Sequence, residues 1–347
     1  MPSTPEQQAR IKIDRLVSAA GWHVCGVSDA NIRGASGVVM AAMLLLGAQL
    51  NSLAFADATS GIEPTAAARG QSFWLDLAKD CTVPAGETAA GLVREAIGLL
   101  GSPDPVWRDD VGYGVIVSCV YQKKLLDAVQ RREIIDTLTG NLQGGIGEAG
   151  TNTVLLRSFS ALDLSILAAL ELQDPVLDDA AYRRLLDAAL AYLADERDVR
   201  GIDPRVGWIH ATAHTADLLK FLARDPRFTP ADQVRLLDAA WIRMTAPGTR
   251  VFTHAEDERL AAALLSVARR PDFDPDSLEP WLERFITLEK SVWQQSPPEA
   301  TALDAAQNAR NLLRSLHLLL ASPRPDPTSG QLVAREKALA TLQQIRR

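Results

Sequence analysis

The sequence has few aromatic residues and no excess of basic ones, and each shortage argues against a class of protein. Lysine and arginine number 36 against 43 acidic residues, so the net charge is −7. Because nucleic-acid recognition needs a basic surface, we expect no nucleic-acid partner. The sequence also lacks a Gly-x-Ser-x-Gly motif and a cysteine beside a plausible histidine base, so nothing supports nucleophilic catalysis. Aromatic residues make up only 5%, whereas Ala and Leu dominate, which favours helices.

Strand patterns are also missing after Glu63, where short Gly, Pro and Asp breaks separate Ala/Leu-rich segments of helical length. With 47% hydrophobic and 23% charged residues, the composition is that of a soluble globular protein. We therefore expect an all-α fold of about twelve helices in a single domain over residues 57–347. The predicted helices span residues 64–80, 87–101, 106–122, 124–140, 154–172, 178–197, 207–224, 229–245, 255–269, 275–295, 300–321 and 329–346.

Residues 1–56 are predicted to be a leader that contains a secretory signal peptide. Arg33 supplies the positive charge, residues 38–50 form the apolar segment, and Ala54-Phe55-Ala56 matches a cleavage signature. An uncleaved anchor and a buried helix are the alternatives, although polar residues make the run short for a membrane span. We expect cleavage after Ala56, a periplasmic or secreted protein, and no integral membrane domain in the mature chain. The first 32 residues are long for a signal's charged region, so we expect translation to begin downstream of Met1.

Two cysteines, Cys81 and Cys119, would remain after cleavage. In an oxidising compartment they could form one disulfide, but each is equally compatible with a buried apolar thiol. The sequence leaves both alternatives open.

Every second predicted helix opens with a polar cluster, and these clusters recur at steps of about fifty residues, which is typical of helix-pair repeats. We expect either a HEAT-like α-solenoid or an α/α-toroid. Equivalent helices stacked side by side would bring the clusters to one edge of a concave surface. The clusters are Trp107-Arg108-Asp109-Asp110, Arg157-Ser158-Phe159-Ser160, Trp208-Ile209-His210, Glu256-Asp257-Glu258-Arg259 and Asn308-Ala309-Arg310-Asn311.

Several of these motifs carry a family resemblance. They are Trp107-Arg108-Asp109, Arg157-Ser158-Phe159-Ser160, the run from Glu196 to Gly201, Gly207-Trp208-Ile209-His210, the run from His214 to Leu219, and the run from Glu256 to Ala261. Each is weak alone, but together they are specific, and residues from about 100 to 320 resemble the bacterial DUF2785 family. The resemblance implies an all-helical fold and no established activity.

Two histidines, His210 and His214, stand four residues apart and could place both imidazoles on one metal ion. On a helix they would share a stripe about 60° wide with Asp217 and Phe221. Such a set suits a divalent metal, zinc or manganese, with His254, Glu256, Glu196 or Asp198 as further candidate ligands. Because Ala211 stands where metalloproteases of the His-Glu-x-x-His type have glutamate, that mechanism is not supported. The alternative is that the histidines make structural hydrogen bonds and that Asp217 pairs with an arginine.

Arginines at equivalent repeat positions, Arg157, Arg259 and Arg310, could clamp a carboxylate or phosphate. They could equally pair with neighbouring acids. We predict that one edge of two adjacent helices gathers Trp208, His210, His214, Asp217, Glu256 and Arg259.

Two functions fit these patterns. The first is an exported helical-repeat protein that binds a ligand or polypeptide in a concave groove, with Arg157 and the six clustered residues as contacts. The second is a metal-dependent hydrolase centred on His210, His214 and a nearby carboxylate. Whether the protein is an enzyme is left open by the sequence.

Overall fold

The computed structural model describes residues 69–246, 250–294, 296–322 and 327–345, all within one compact unit, Ser60–Arg347. The predicted leader and its cleavage site lie outside the described residues. Within them the chain forms twelve helices and almost no strand, which confirms the all-α prediction. The helices are α1 Gln71–Asp80, α2 Ala89–Leu99, α3 (residues 106–122), α4 Ala128–Asn141, α5 Thr153–Glu171, α6 Asp179–Asp195, α7 Ala211–Leu222, α8 Pro230–Thr245, α9 Glu256–Ala268, α10 Glu279–Val292, α11 Ala300–Ala321 and α12 Ser329–Gln344.

Helix α3 is wound unevenly. Its segments Val106–Tyr113 and Val117–Gln122 are π-helical, and only Gly114–Ile116 between them is α-helical. Extra residues per turn re-aim side chains, and π turns occur frequently at functional sites. Helix α10 is preceded by a short 3-10 turn, Pro275–Leu278.

The odd-numbered helices pack side by side in one layer, in the order in which they follow one another in the chain. Helix α5 packs on α7, α7 on α9, and α9 on α11, while α6 packs on α8 outside this row. Because successive odd helices run parallel, their N-termini meet at one edge of the layer. This packing is what the fifty-residue spacing predicts for stacked helix pairs; the choice between solenoid and toroid stays a prediction.

The even-numbered helices other than α10 begin differently from the odd-numbered ones. Helices α2, α4, α6, α8 and α12 each begin after a residue whose side chain accepts a hydrogen bond from a first-turn N–H. Within the described residues, α3, α5, α7, α9 and α11 have no such side-chain cap. The residues that precede α7 and α9, His210 and Ala255, are both left-handed, with φ of 53° and 66°. This shared backbone signature supports the equivalence of the two repeats.

Ion pairs tie the turns together at the opposite edge of the layer. The guanidinium of Arg227 pairs with Asp225 at 2.7 Å and with Glu171 at 3.1 Å. One repeat later, Arg270 donates to the backbone carbonyl oxygen of Asp225 at 2.8 Å. Each turn is thus bonded to its neighbour, which holds successive helix pairs in register.

A disulfide joins Cys81, which follows α1, to Cys119 in α3, with their Cα atoms 5.1 Å apart. Both residues are buried. The structure therefore selects one of the two alternatives that the sequence left open.

Helix α5 is long and apolar enough to cross a membrane, with a mean hydropathy of 1.6, but 72% of that stretch is buried inside the protein. A buried core helix passes the same test as a membrane span. The burial agrees with its position between α4 and α7.

The predicted helix 207–224 is wrong over its first four residues, because helix α7 begins only at Ala211. Strand β1, Ile202–Asp203, instead pairs antiparallel with strand β2, Gly207–Trp208. Gly207 has a φ of 75°, a conformation that glycine adopts without strain. His210 therefore precedes the helix, and the predicted helical stripe does not include it.

Candidate functional site

Four of the predicted site residues meet where the β-hairpin, α7 and α9 come together. The Trp208 ring stacks on the His210 ring, with centroids 4.9 Å apart and planes 24° apart. The rings of His210 and His214 lie 5.7 Å apart, edge to face. Nε2 of His210 lies 3.7 Å from Oε1 of Glu256. The structure therefore brings these side chains together; their role in binding stays a prediction.

His210 is fixed by the loop before α9. Its Nε2–H donates to the backbone carbonyl oxygen of His254 at 2.7 Å, and Glu256 accepts a hydrogen bond from the N–H of His254 at 2.8 Å. Burial lowers the pKa of His210, and the opposing attraction of Glu256 does not reverse the shift. His210 is therefore neutral at pH 7 and donates through Nε2.

His214 is held in the other tautomer. The hydroxyl of Ser158 donates to the backbone carbonyl oxygen of Ile209, so its oxygen accepts from Nδ1–H of His214 at 2.8 Å. Burial, and then the proximity of His210, lower the pKa of His214 to about 3. Its Nε2 consequently keeps a lone pair, which has no hydrogen-bond partner among the described residues. Ser158 is fully buried and already bonded, so its hydroxyl is not an exposed nucleophile.

A close approach at Gly201 holds the two loops together. A Cβ atom at this position would lie 2.5 Å from Nδ1 of His254 and 2.9 Å from Oε1 of Glu256. Only glycine leaves room for them. On the opposite side, Arg108 of α3 donates to the carbonyl oxygen of Val206 at 2.8 Å, so the hairpin is fastened to the first turns of both α3 and α9.

Asp217 and Arg259, one turn further along, form an ion pair between α7 and α9. Lys220 adds a second cation on Asp217 at 2.8 Å. Burial would raise the pKa of Asp217, but the two cations lower it overall, so it stays ionised. This pair connects the predicted site residues of the two helices.

Partly exposed side chains recur along the odd helices. We call this surface the open face, and define it by Tyr113 and Val117 of α3, Leu162 and Ile166 of α5, Lys220 and Phe221 of α7, Arg259 and Ala262 of α9, and Gln307, Asn311 and Arg314 of α11. His214 and Asp217 lie at its centre. Trp208, 40% exposed, stands at its N-terminal rim.

Arg157 does not lie on the open face. It is 0% exposed, and its guanidinium donates to Glu196 at 2.8 and 3.2 Å and to the carbonyl oxygen of Gly144 at 2.7 Å. Arg310 lies 3.5 Å from Glu289. All three repeat-equivalent arginines thus pair with acids, which was the alternative to a ligand clamp.

All three predicted metal ligands already have partners. His210 donates to the carbonyl oxygen of His254, and His214 donates to Ser158 through Nδ1. Asp217 forms ion pairs with Arg259 and Lys220. Among the residues that the structure describes, no three His, Cys, Asp or Glu side chains are grouped so that they could hold a metal ion. Asp217 could join a metal site only if its ion pairs with Arg259 and Lys220 rearranged.

Sequence reasoning missed two groups near the site. Ser158, which sets the tautomer of His214, stands in the motif Arg157-Ser158-Phe159-Ser160, so its position was visible although its role was not. Asp163 is fully buried in α5. A single acid inside the apolar run from Val154 to Leu170 was the only signal that could have indicated it.

Comparison with known proteins gives a family and nothing closer. No curated protein and no solved structure matches the chain. A family model described as a protein of unknown function, DUF2785, matches residues 142–318. The matched part contains α5, α7, α9, the hairpin and all seven predicted contact residues. Because the match spans just over half of the chain, this protein belongs to the DUF2785 family.

Proposed function

We propose that this protein is exported and binds a polypeptide on the open face, with Trp208, His214, Asp217 and Arg259 among the contacts. The observation that carries the proposal is the exposed Trp208 ring, held by stacking on a buried neutral histidine beside an ion pair on the same surface. Tryptophan and arginine are the residues that most often dominate the energy of protein interfaces.

An extended ligand suits the shape of this surface better than a small molecule does. The open face continues over α3, α5, α7, α9 and α11 and mixes aromatic, aliphatic and polar side chains. Stacked helix pairs commonly bind polypeptides along such faces. Tyr113, Phe221 and Trp208 could each contact a side chain of a bound strand. The polar residues of the open face, such as Arg259 and Asn311, could donate hydrogen bonds to it.

Export rests on two features. The leader carries a signal-like apolar segment with a cleavage signature at Ala54-Phe55-Ala56. The buried disulfide between Cys81 and Cys119 is of the kind that forms and persists in oxidising compartments. Together they support a periplasmic or secreted location.

Selection from a random dodecapeptide phage library tests the binding proposal. We expect wild-type protein to enrich peptides whose affinity falls at least tenfold, about 1.4 kcal/mol, in the Trp208→Ala variant, because the variant loses an exposed aromatic contact at the rim. Titration calorimetry measures the affinity. The matched control is Trp293→Ala, which removes a tryptophan that is 62% exposed and lies at the end of α10. Failure to enrich any peptide, or equal losses in the two variants, contradicts the proposal.

A metal-dependent hydrolase is the second candidate, and one observation favours it. His214 is neutral and its Nε2 lone pair has no partner among the described residues, which is the state that a metal ligand needs. Asp217 opposes it, since Arg259 and Lys220 already neutralise that carboxylate.

The double variant His210→Ala/His214→Ala separates metal binding from a structural role. If the pair binds zinc or manganese, the metal raises the melting temperature of the wild type alone by mass action. We expect instead equal shifts in both proteins and a lower free energy of unfolding in the double variant, by about 1–3 kcal/mol for each buried partner left unpaired. Differential scanning calorimetry with and without each metal gives both quantities. A shift confined to the wild type would establish the metal site.

A further inference from the structure

Asp163 is a buried acid that nothing in the described structure neutralises. It is 0% exposed, and neither carboxylate oxygen has a hydrogen-bond partner among the described residues. Burial alone raises its pKa well above the usual value for aspartate. An unpaired buried carboxyl group destabilises a folded protein, so an apolar residue at this position would give a more stable helix layer.

The position of Asp163 relates it to the open face. It lies one helical turn beyond Phe159, on the same side of α5. The Phe159 ring contacts His214 of α7, with centroids 5.1 Å apart, and the guanidinium of Arg108 of α3 at 4.7 Å. Asp163 therefore occupies the next layer between α3 and α7, flanked by the partly exposed Leu162 and Ile166.

The charged groups near Asp163 leave it without a counter-charge among the described residues. The Tyr113 hydroxyl lies within electrostatic reach of Asp163, Asp217 and Arg259. Burial raises the pKa of Tyr113, and the nearby carboxyl groups of Asp163 and Asp217 act in the same direction, so the phenol is neutral. Asp217 pairs with two cations, Lys220 and Arg259, whereas Asp163 pairs with none among the described residues. Tyr113 itself is partly exposed on the open face.

We propose that Asp163 and Tyr113 form a subsite that receives the cationic side chain, lysine or arginine, of the polypeptide bound on the open face. This inference rests on the proposed binding function and adds the chemical class of the ligand. Lysine and arginine carry their charge at the end of a long apolar stem. Such a stem can pack on the apolar Leu162 and Ile166 while the charge meets the buried carboxyl group of Asp163.

Binding in this subsite is coupled to a proton. The buried carboxylic acid of Asp163 gives its proton to solvent when the cation arrives, because an opposite charge favours the ionised form. The product is an ammonium or guanidinium paired with a carboxylate, with the Tyr113 hydroxyl available as a further hydrogen-bond donor. Total charge is conserved, because the neutral acid and the cation become a neutral ion pair and one released proton.

The dodecapeptide phage library also tests this proposal. We expect lysine or arginine to recur at one position of the peptides that wild-type protein enriches. Replacing that residue by norleucine should weaken wild-type binding at least tenfold, and should weaken binding to Asp163→Asn less than twofold, because the variant no longer provides the counter-charge. Glu258→Gln, which removes an exposed acid of α9, is the control for general charge and should keep the tenfold preference.

The outcomes separate the two proposals. Peptides that depend on Trp208 but contain no recurrent cation overturn the Asp163 subsite and leave polypeptide binding intact. A norleucine effect that persists in Asp163→Asn also overturns it. Because that variant could fail to fold, a second test uses the wild type alone. Titration calorimetry in buffers of different ionisation enthalpy measures the number of protons released on binding. Release of close to one proton per bound peptide supports the subsite, and release of none overturns it.

Discussion

Replacement of Arg157 by alanine is expected to lower the free energy of unfolding by about 3–5 kcal/mol, because it leaves a buried carboxylate without its cation. Arg157 and Glu196 are 0% and 2% exposed and share two hydrogen bonds. Arg157 also donates to the carbonyl oxygen of Gly144, so the variant loses a contact between α5 and the loop before it. Chemical denaturation followed by circular dichroism measures the change.

The Glu196 side of this network shows why the loss is large. Glu196 accepts from the backbone N–H of Asp198 at 2.9 Å, and Asp198 in turn pairs with Arg200 at 2.6 Å. This series of contacts fixes the loop that leads into the β-hairpin. We therefore expect the variant to loosen the hairpin and to weaken peptide binding as well.

The matched control is Arg94→Ala. Arg94 pairs with Glu133 at 2.6 Å, but both side chains are 53% exposed, and such pairs contribute about 0–1 kcal/mol. A double variant, Arg157→Ala/Glu196→Ala, should lose less than the sum of the two single losses, since neither charge is then left alone. A loss at Arg157 no larger than the loss at Arg94 would show that solvent reaches the pair.

The helices could be predicted from the sequence because local signals mark them. Thr229 accepts a hydrogen bond from a first-turn N–H of α8 at the predicted start of that helix, whereas Asp127 caps α4 three residues after its predicted start at residue 124. The β-hairpin gave no comparable signal, since each of its strands has only two residues. Tertiary contacts hold it, notably Arg108 from α3, which is 98 residues from Val206 in the chain.

The candidate site was predictable to the extent that repeat symmetry placed it. Trp208, His210 and Glu256 precede or begin adjacent odd helices, so side-by-side packing brings them to one edge. The sequence could not distinguish Arg157 from Arg259, because burial decides between them and depends on which loop covers each one. Arg157 is covered by the loop at Gly144, whereas Arg259 is partly exposed on the open face.

Asp163 shows a further limit of sequence reasoning. Helical periodicity predicts that this position is buried, and a buried acid is ordinarily matched by a cation or by several N–H groups. Nothing in the chain near Asp163 shows that this match is missing. Only the packing of α3 and α7 against α5 reveals it.

Acid is expected to destabilise the wild type more than a His214→Asn variant, because His214 is neutral when folded and protonated when unfolded. The pKa of His214 is about 3 in the folded protein, against about 6.5 for histidine in an unfolded chain. Between these values the unfolded state binds one more proton, so stability falls as pH falls. The advantage of the wild type over the variant should therefore shrink by about 3 kcal/mol between pH 7 and pH 4.

Asparagine is the matched replacement because its side-chain N–H stands close to the position of Nδ1 and can still donate to Ser158. Asp109, whose pKa burial raises to about 6, and Asp163 have shifts of the opposite sign, but both are present in each protein and their effects cancel in the difference. Urea denaturation at half-unit steps from pH 7 to pH 4 measures that difference, and nitrogen-15 spectra of labelled histidine identify the tautomer. A constant difference across this range, or a spectrum with Nε2 protonated, would mean that His214 is not the buried neutral donor that the hydrogen bond to Ser158 requires.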